Sequence, residues 1–262
     1  MTAVNPSPQA LLRALAAEEL FLVYQPIFHL RNRALVGVEA LLRWRHRVAG
    51  VVPPAAFLAA AEQHGPIVEI GEWVLHEACG HAAGWHRASA VGVTVNLCPR
   101  QLYAPQLPAH VAAALAASGL DPAGLTLEIT ERALVHDRRG TAAALAALKE
   151  LGVRISFDYE GGGYSSLACL AGLPLDVIKI DRNFISGRAS AREARLLTRM
   201  ILEVAARLGL ATCAEGIETE QQLERLRTLG CRHGQGHLLA EPLLAPLIGE
   251  LLRQPRSSTA AA

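Results

Sequence analysis

Apolar and polar positions change rhythm several times along this chain. Residues 8–19 are rich in Ala, Leu and Glu and suit a helix. Two apolar runs follow, 20–28 (LFLVYQPIF) and 34–42 (ALVGVEALL), and both read as strands. The link between them, HLRNR, is too short for a parallel crossover, so the pair is predicted antiparallel. After that, strand and helix patterns alternate. Strands are predicted at 91–97, 124–130, 153–158, 176–180, 211–215 and 234–239. Helices are predicted at 54–63, 67–86, 105–118, 139–151, 190–209, 218–229 and 244–253, with Gly152, Gly230 and Asp121-Pro122 marking helix-to-strand junctions. Eight strands with helices between them predict an α/β fold, a TIM-type (β/α)8 barrel with an antiparallel first strand. The alternative, a doubly wound open sheet, needs a Gly-rich phosphate turn after an early strand, which this sequence lacks. The predicted organisation is a helical lead-in at 1–19, one barrel domain at 20–253 and a disordered tail at 254–262 (QPRSSTAAA).

Composition narrows the classes. With 262 residues, 51% of them hydrophobic, the chain can build a large core without disulfides or a structural metal. A net charge of +1 argues against binding a nucleic-acid polymer. No apolar run reaches 18 residues, so no membrane span is expected. Arg13, Glu18 and Glu19 interrupt the start of the chain, which does not read as a signal peptide. Five cysteines without a C-x-x-C pair suggest reduced thiols, so a cytoplasmic location is expected. Of the 25 basic residues only Lys149 and Lys179 are lysines, and of the 24 acids only five are Asp, which makes each of these positions informative.

In a parallel barrel the chemistry lies at the carboxyl ends of the strands. The polar residues at or near those ends are Glu39, Asn96, Glu128, Glu131, Asp158, Lys179, Asp181, Glu215, Glu218 and Gln235. Charges closing apolar runs are costly unless paired or metal-bound, so their recurrence at one mouth points to a site. Glu, Asn and Asp offer hard oxygen ligands that favour Mg²⁺ or Mn²⁺ over Zn²⁺, and no His or Cys stands at a metal-ligand spacing. Such a site with one lysine fits metal-assisted attack of water on a phosphodiester. His76, His81 and His86 fall five apart on a predicted helix, which does not stack them, and read as surface or packing residues.

These residues carry a family pattern. Tyr24-Gln25-Pro26-Ile27 and Glu39-Ala40-Leu41-Leu42-Arg43-Trp44 resemble the opening motifs of the EAL-domain family, the cyclic-di-GMP phosphodiesterases. The likeness continues through Val95-Asn96-Leu97, Glu128-Ile129-Thr130-Glu131, Gly163-Tyr164-Ser165-Ser166-Leu167 and Lys179-Ile180-Asp181. It closes with Ala214-Glu215-Gly216-Ile217-Glu218-Thr219 and Gln235-Gly236. The resemblance implies a barrel that takes cyclic di-GMP at its mouth and hydrolyses it to linear pGpG with two Mg²⁺ or Mn²⁺ ions. It makes Glu39, Asn96, Glu128 and Asp158 ligands of the first metal, with Asp158 bridging to the second. Glu215 is implied as a second-metal ligand or base, and Lys179 as the group that orients the attacking water. Gln25, Arg43 and Gln235 are implied to bind the dinucleotide, with Arg43 suited to a phosphate oxygen. Asp181 and Glu218 complete the pocket, and Glu131 braces the loop after the 153–158 strand. Family members often pair through elements near that loop, so a homodimer is implied, and an unidentified protein partner is a further expectation.

That same loop departs from the family pattern, Asp-Asp-Phe-Gly-Thr-Gly. Here it reads Asp158-Tyr159-Glu160-Gly161-Gly162-Gly163. The second Asp, by resemblance a ligand of the second metal, is Tyr159, and a phenol with a pKa near 10 is a poor Mg²⁺ ligand beside a carboxylate. Three consecutive glycines raise the freedom of the loop. The expectation is a phosphodiesterase of reduced activity, with the first metal site complete and the second short of a ligand. Glu160, two residues from Asp158 and on the same face of an extended segment, is the candidate compensating ligand. Two alternatives stay open: a catalytically inactive cyclic-di-GMP receptor and a protein-interaction domain.

Overall fold

The computed structural model describes residues 6–161, 170, 172–185 and 191–253. Strands β1 (Leu20–His29) and β2 (Leu35–His46) run antiparallel, with Leu20 opposite Trp44 and Gln25 opposite Glu39. Strand β3 (Gly50–Val52) folds back on β2 as a hairpin outside the barrel. From β2 the sheet continues in parallel through β4 (Gly92–Leu97), β5 (Leu125–Thr130), β6 (Arg154–Tyr159), β7 (Val177–Ile180), β8 (Ala211–Ala214) and β9 (His233–Gly234). Strand β9 then meets β1 antiparallel, closing an eight-stranded barrel.

In chain order the helices begin with α1 (Pro8–Ala16), α2 (Leu58–His64), α3 (Ile67–Ser89), α4 (Pro99–Leu102), α5 (Leu107–Ser118) and α6 (Glu131–His136). They continue with α7 (Arg138–Glu150), α8 (Arg182–Ile185), α9 (Ala191–Arg207), α10 (Glu220–Thr228) and α11 (Ala245–Arg253). Local chemistry sets several of their ends. The Ser7 hydroxyl accepts from the Ala10 N–H ahead of Pro8 at the start of α1, and Thr219 with Gln222 forms a reciprocal cap on α10. Helix α5 stops at Gly119, whose φ of 66° is the left-handed ending that glycine tolerates best. The lead-in helix belongs to the core, since Leu11 and Ala14 are buried in the main hydrophobic cluster.

Period-two alternation divides the parallel strands into two faces. Val93, Val95, Leu125, Leu127, Ile155 and Phe157 are buried toward the surrounding helices. Their neighbours Thr94, Asn96, Glu128, Ser156 and Asp158 face the barrel interior.

The main departure from the sequence reading is the last strand, predicted over 234–239 but ending at Gly234. Gly236 takes φ 155°, and a Cβ there would run into the backbone of Ile217. The Ile217 N–H donates to the Gln235 carbonyl and the Leu238 N–H to the Ile217 carbonyl, so the apolar GQGHLL segment turns instead of extending. Strand β3 and the short helices α4, α6 and α8 were not anticipated. Gly162, the 163–167 motif and the 254–262 tail lie outside the described residues. Among the described residues, Cys79, Cys98, Cys213 and Cys231 are free thiols, and no helix is long and apolar enough to cross a membrane.

Candidate active site at the barrel mouth

Lys179 stands on β7, only 2% exposed. Its Nζ lies 2.9 Å from Glu39 Oε2 on β2 and 2.9 Å from Glu128 Oε1 on β5, and it also pairs with Glu215 just past β8. Gln235, just past β9, donates from Nε2 to Glu39 Oε2 at 2.6 Å, and Asn96 on β4 donates from Nδ2 to Glu39 Oε1 at 2.8 Å. Six strands thus send polar side chains to one point. Lys179, Asn96, Glu215 and Gln235 stand at or next to the carboxyl ends of their strands, Glu128 lies two residues before the end of β5, and Glu39 lies within the longer β2.

Burial and crowding set the protonation of this cluster. Burial raises the Glu128 pKa well above the usual range; Lys179 opposes the shift, while Glu39, Glu215 and Asp158 add to it. Glu215 also moves upward, burial leading. Asp158 is pushed up to about 7, first by burial and then by repulsion from Glu215, with Glu160 and Asp181 adding more. Glu39 goes the other way. Burial pushes it up, but Lys179, Gln235 and Asn96 favour its ionised form and the net direction is down. Burial works against the Lys179 ammonium, yet Glu128, Glu215 and Glu39 hold its pKa well above the ordinary value.

The remaining predicted residues lie on β1 and β2 and in the segments that follow β5, β7 and β8, whereas Lys179 pairs with Glu39, Glu128 and Glu215. Gln25 is buried beside Glu39 in the β1–β2 register, and its amide donates to the Ala240 carbonyl, tying down the chain after β9. Half-buried Arg43 donates from Nη1 to the Leu42 carbonyl. Glu131 is 3% exposed and opens α6 directly after β5. Asp181 accepts from the Asn183 N–H at 2.8 Å, and Glu218 is exposed ahead of α10.

Tyr159 faces the other way from Asp158. It continues the outward face of Ile155 and Phe157, packs on the main core, and stacks on Phe184 at 5.6 Å between centroids and 25° between planes. Gly161 permits this contact, since it takes φ 70° and a Cβ there would strike the Phe184 ring. Glu160 is exposed, and its charge adds to the rise in the Asp158 pKa. Of the three helical histidines, His81 packs on Trp85 and bonds the Tyr24 hydroxyl at 2.7 Å, a packing role.

Sequence reasoning missed an apolar recess of about 270 Å³ beside Asn96, walled by Leu42, Pro54, Leu58, Ile67, Val74 and Leu97. Its residues read as ordinary core positions; the only hint was their adjacency to the motif residues Arg43 and Asn96.

A divalent cation suits the donor set. Four carboxylates (Glu39, Glu128, Glu215 and Asp158) surround one ammonium, and two buried oxygens, Glu128 Oε2 and Asp158 Oδ1, lack any hydrogen-bond partner. Both observations call for more positive charge bound by hard oxygen. Among the described residues no three His, Cys, Asp or Glu groups share one coordination point, because three of the carboxylates converge on Lys179.

The fold and site define a class: a (β/α)8-barrel domain with a buried carboxylate–lysine centre at the carboxyl ends of its strands. Residues 8–242 match the EAL domain family, and the chain belongs to that family. The cyclic di-GMP phosphodiesterase NbdA of Pseudomonas aeruginosa is 39% identical over 254 residues, covering 96% of this chain and 32% of that protein. The bifunctional diguanylate cyclase/cyclic di-GMP phosphodiesterase MucR of the same organism is 41% identical over 237 residues, covering 90% and 35% respectively. The solved structure of the PaMucR phosphodiesterase in complex with c-di-GMP superposes with a TM-score of 0.87 at 40% identity, covering 92% of this chain and 98% of that one. The chain spans about a third of the length of these curated relatives.

Proposed function

We propose that this domain binds cyclic di-GMP across the barrel mouth and hydrolyses one phosphodiester bond to give linear pGpG, with Mg²⁺ or Mn²⁺, at a rate lowered by Tyr159. The observation that carries the reading is the convergence of Glu39, Glu128 and Glu215 on the buried Lys179. In this reading Glu39, Asn96, Glu128, Asp158 and Glu215 are the residues that would hold the metal ions. When bound, Mg²⁺ or Mn²⁺ would supply Lewis-acid polarisation of the phosphoryl group. Lys179 offsets charge developing on the phosphoryl oxygens. Glu215, its pKa raised, is placed to accept a proton from the attacking water. Arg43 has guanidinium donors left for a phosphate oxygen. The buried Gln235 Oε1, which lacks a partner, accepts from a guanine N–H, and the apolar recess beside Asn96 suits a flat purine. Gln25, Asp181 and Glu218 bound the dinucleotide, and Glu131 supports the loop after β6.

The Tyr159–Phe184 stack favours a second reading, a receptor that binds without turnover, because a ring packed on the core offers no oxygen to a second ion. Two assays separate the readings: calorimetry for cyclic di-GMP binding and chromatography for pGpG, each in Mg²⁺ and then Mn²⁺. Binding with slow product formation supports the enzyme. Binding with no product over hours leaves the receptor, and absent binding sinks both. Tyr159→Asp should raise turnover on the order of ten- to a hundredfold; an unchanged rate would remove Tyr159 as the cause. If Glu160 compensates, Glu160→Ala should abolish the residual activity.

A further inference from the structure

Below the mouth the barrel interior is open. One inward step down six of the strands stand Gly37, Thr94, Thr126, Ser156, Cys213 and His233, at a level that such barrels normally fill with bulky branched side chains. Ile27 and Val177 complete the layer and join Cys213 in a small apolar cluster separate from the main core. The result is a cavity of about 130 Å³ reaching from the Lys179 stem to Arg154 and His233. These two are the first residues of β6 and β9, so they mark its lower end. A space of this size admits several waters or one small ion with water.

The chemistry of this cavity has one sign. No carboxylate lines it. Arg154 forms no ion pair among the described residues, and the Lys179 ammonium is directed at the carboxylates above, away from this cavity. Ser156 is 1% exposed, and its buried Oγ has no hydrogen-bond partner. His86 Nδ1 is likewise unpartnered. His233 stands edge-on to His29, and its pKa is pushed down to about 4 by burial, then by Arg232, His29 and Arg154. Buried polar groups without partners in a polar cavity mark a bound water or ion, and the surplus of positive charge selects an anion.

We propose that this cavity is a binding site for a small inorganic anion, phosphate or chloride, held by Arg154 and Ser156 at the barrel floor, at the opposite end of the interior from the mouth. The bound anion neutralises Arg154 and fills the layer between β6 and β9.

The test titrates the purified protein with sodium phosphate and, separately, with sodium chloride. Ionic strength is held constant with sodium HEPES, whose anion is too large for the cavity. EDTA is present throughout, so the acidic mouth repels anions. The melting temperature should rise saturably with at least one anion, by about 5 °C at a hundredfold excess over Kd, and the His233 Cε1 proton resonance should move with the same midpoint. A response to phosphate alone supports an oxyanion site, and a response to chloride supports a site for a spherical ion. Arg154→Gln should weaken the midpoint about tenfold. Ser156→Ala, which removes only a buried hydroxyl and preserves the fold, should weaken it severalfold. Arg43→Gln, at the mouth, should leave it unchanged. The proposal falls if neither anion gives a saturable shift. It also falls if the shift survives both Arg154→Gln and Ser156→Ala, or if it is lost in Arg43→Gln.

Discussion

At Glu128 one carboxylate oxygen meets Lys179 while the other is buried with no partner. Such a residue costs folding stability, and under the proposed function that cost serves cation binding. Glu128→Gln keeps an acceptor for Lys179 and removes a charge that Glu39, Glu215 and Asp158 all repel. It should raise unfolding stability at pH 8 in EDTA by about 1 kcal/mol and abolish the stabilisation that Mg²⁺ or Mn²⁺ gives the wild type. Thermal melts with and without the metal check both halves; equal metal stabilisation in the variant would remove Glu128 from the ligand set. The mouth residues were legible in the sequence because a charge closing an apolar run is physically conspicuous. Ser156, Arg154 and His233 were not, since no motif joins them. Their only signal is parity: each lies an even number of places below a mouth residue on its own strand, and so points inward. The orientation of Tyr159 was hidden for the same reason, because its identity was read against a motif and its side of the strand was not.

Strand β6 depends on its neighbours at its lower end. Lys149, near the end of α7, pairs with Asp176 at 2.8 Å, and Asp176 Oδ2 also accepts the Ile155 N–H at 2.7 Å. One aspartate thus fastens a helix and two strands, while the chain's other lysine holds the opposite end of β7. Asp176→Ala loses both contacts and strands a backbone donor, so it should cost about 1–3 kcal/mol. Lys149→Ala leaves the backbone bond in place and should cost about 0.5–1 kcal/mol. Urea unfolding of the two variants checks the ordering, and equal losses would mean that the Ile155 bond contributes nothing. At this scale the sequence predicted the antiparallel start and the alternation, because the short HLRNR link and the two periodicities leave few other solutions. It overextended the last strand because apolar GQGHLL carries no trace of the approach of Ile217 that turns Gly236. It passed over β3 because three residues carry too little pattern.

For the whole molecule, His233 makes stability depend on pH. Its pKa in the folded chain is about 4, against about 6.5 when unfolded. Between those values the unfolded chain binds more protons, so this contribution is full above pH 6.5 and is lost as pH falls toward 4. Asp158, pushed up to about 7, acts in the opposite sense, its contribution fading as pH rises from its unfolded value toward 7. The difference between wild type and His233→Gln isolates the histidine. Melting temperatures in low-salt buffer should fall less steeply from pH 6.5 to 4.5 in the variant, and parallel curves would show that His233 titrates normally.

The two-residue length of β9 carries one more consequence. Strand β9 meets β1 through only two residue pairs, Phe28 with Gly234 and His29 with His233, whereas β4 and β5, and β5 and β6, each share five. Strand β9 also shares only two pairs with β8, so both short joints of the ring lie on this one strand and the ring does not breathe evenly. The free energy of opening should be lowest there, well short of full unfolding. In native-state hydrogen–deuterium exchange, the Leu30 amide, which donates across this joint to Arg232, should exchange by a local opening nearly independent of denaturant. Amides within β5 and β6 should exchange only with global unfolding. The barrel is then a strip with a fastening rather than a uniform cylinder, and it comes undone first where the chain's last strand meets its first.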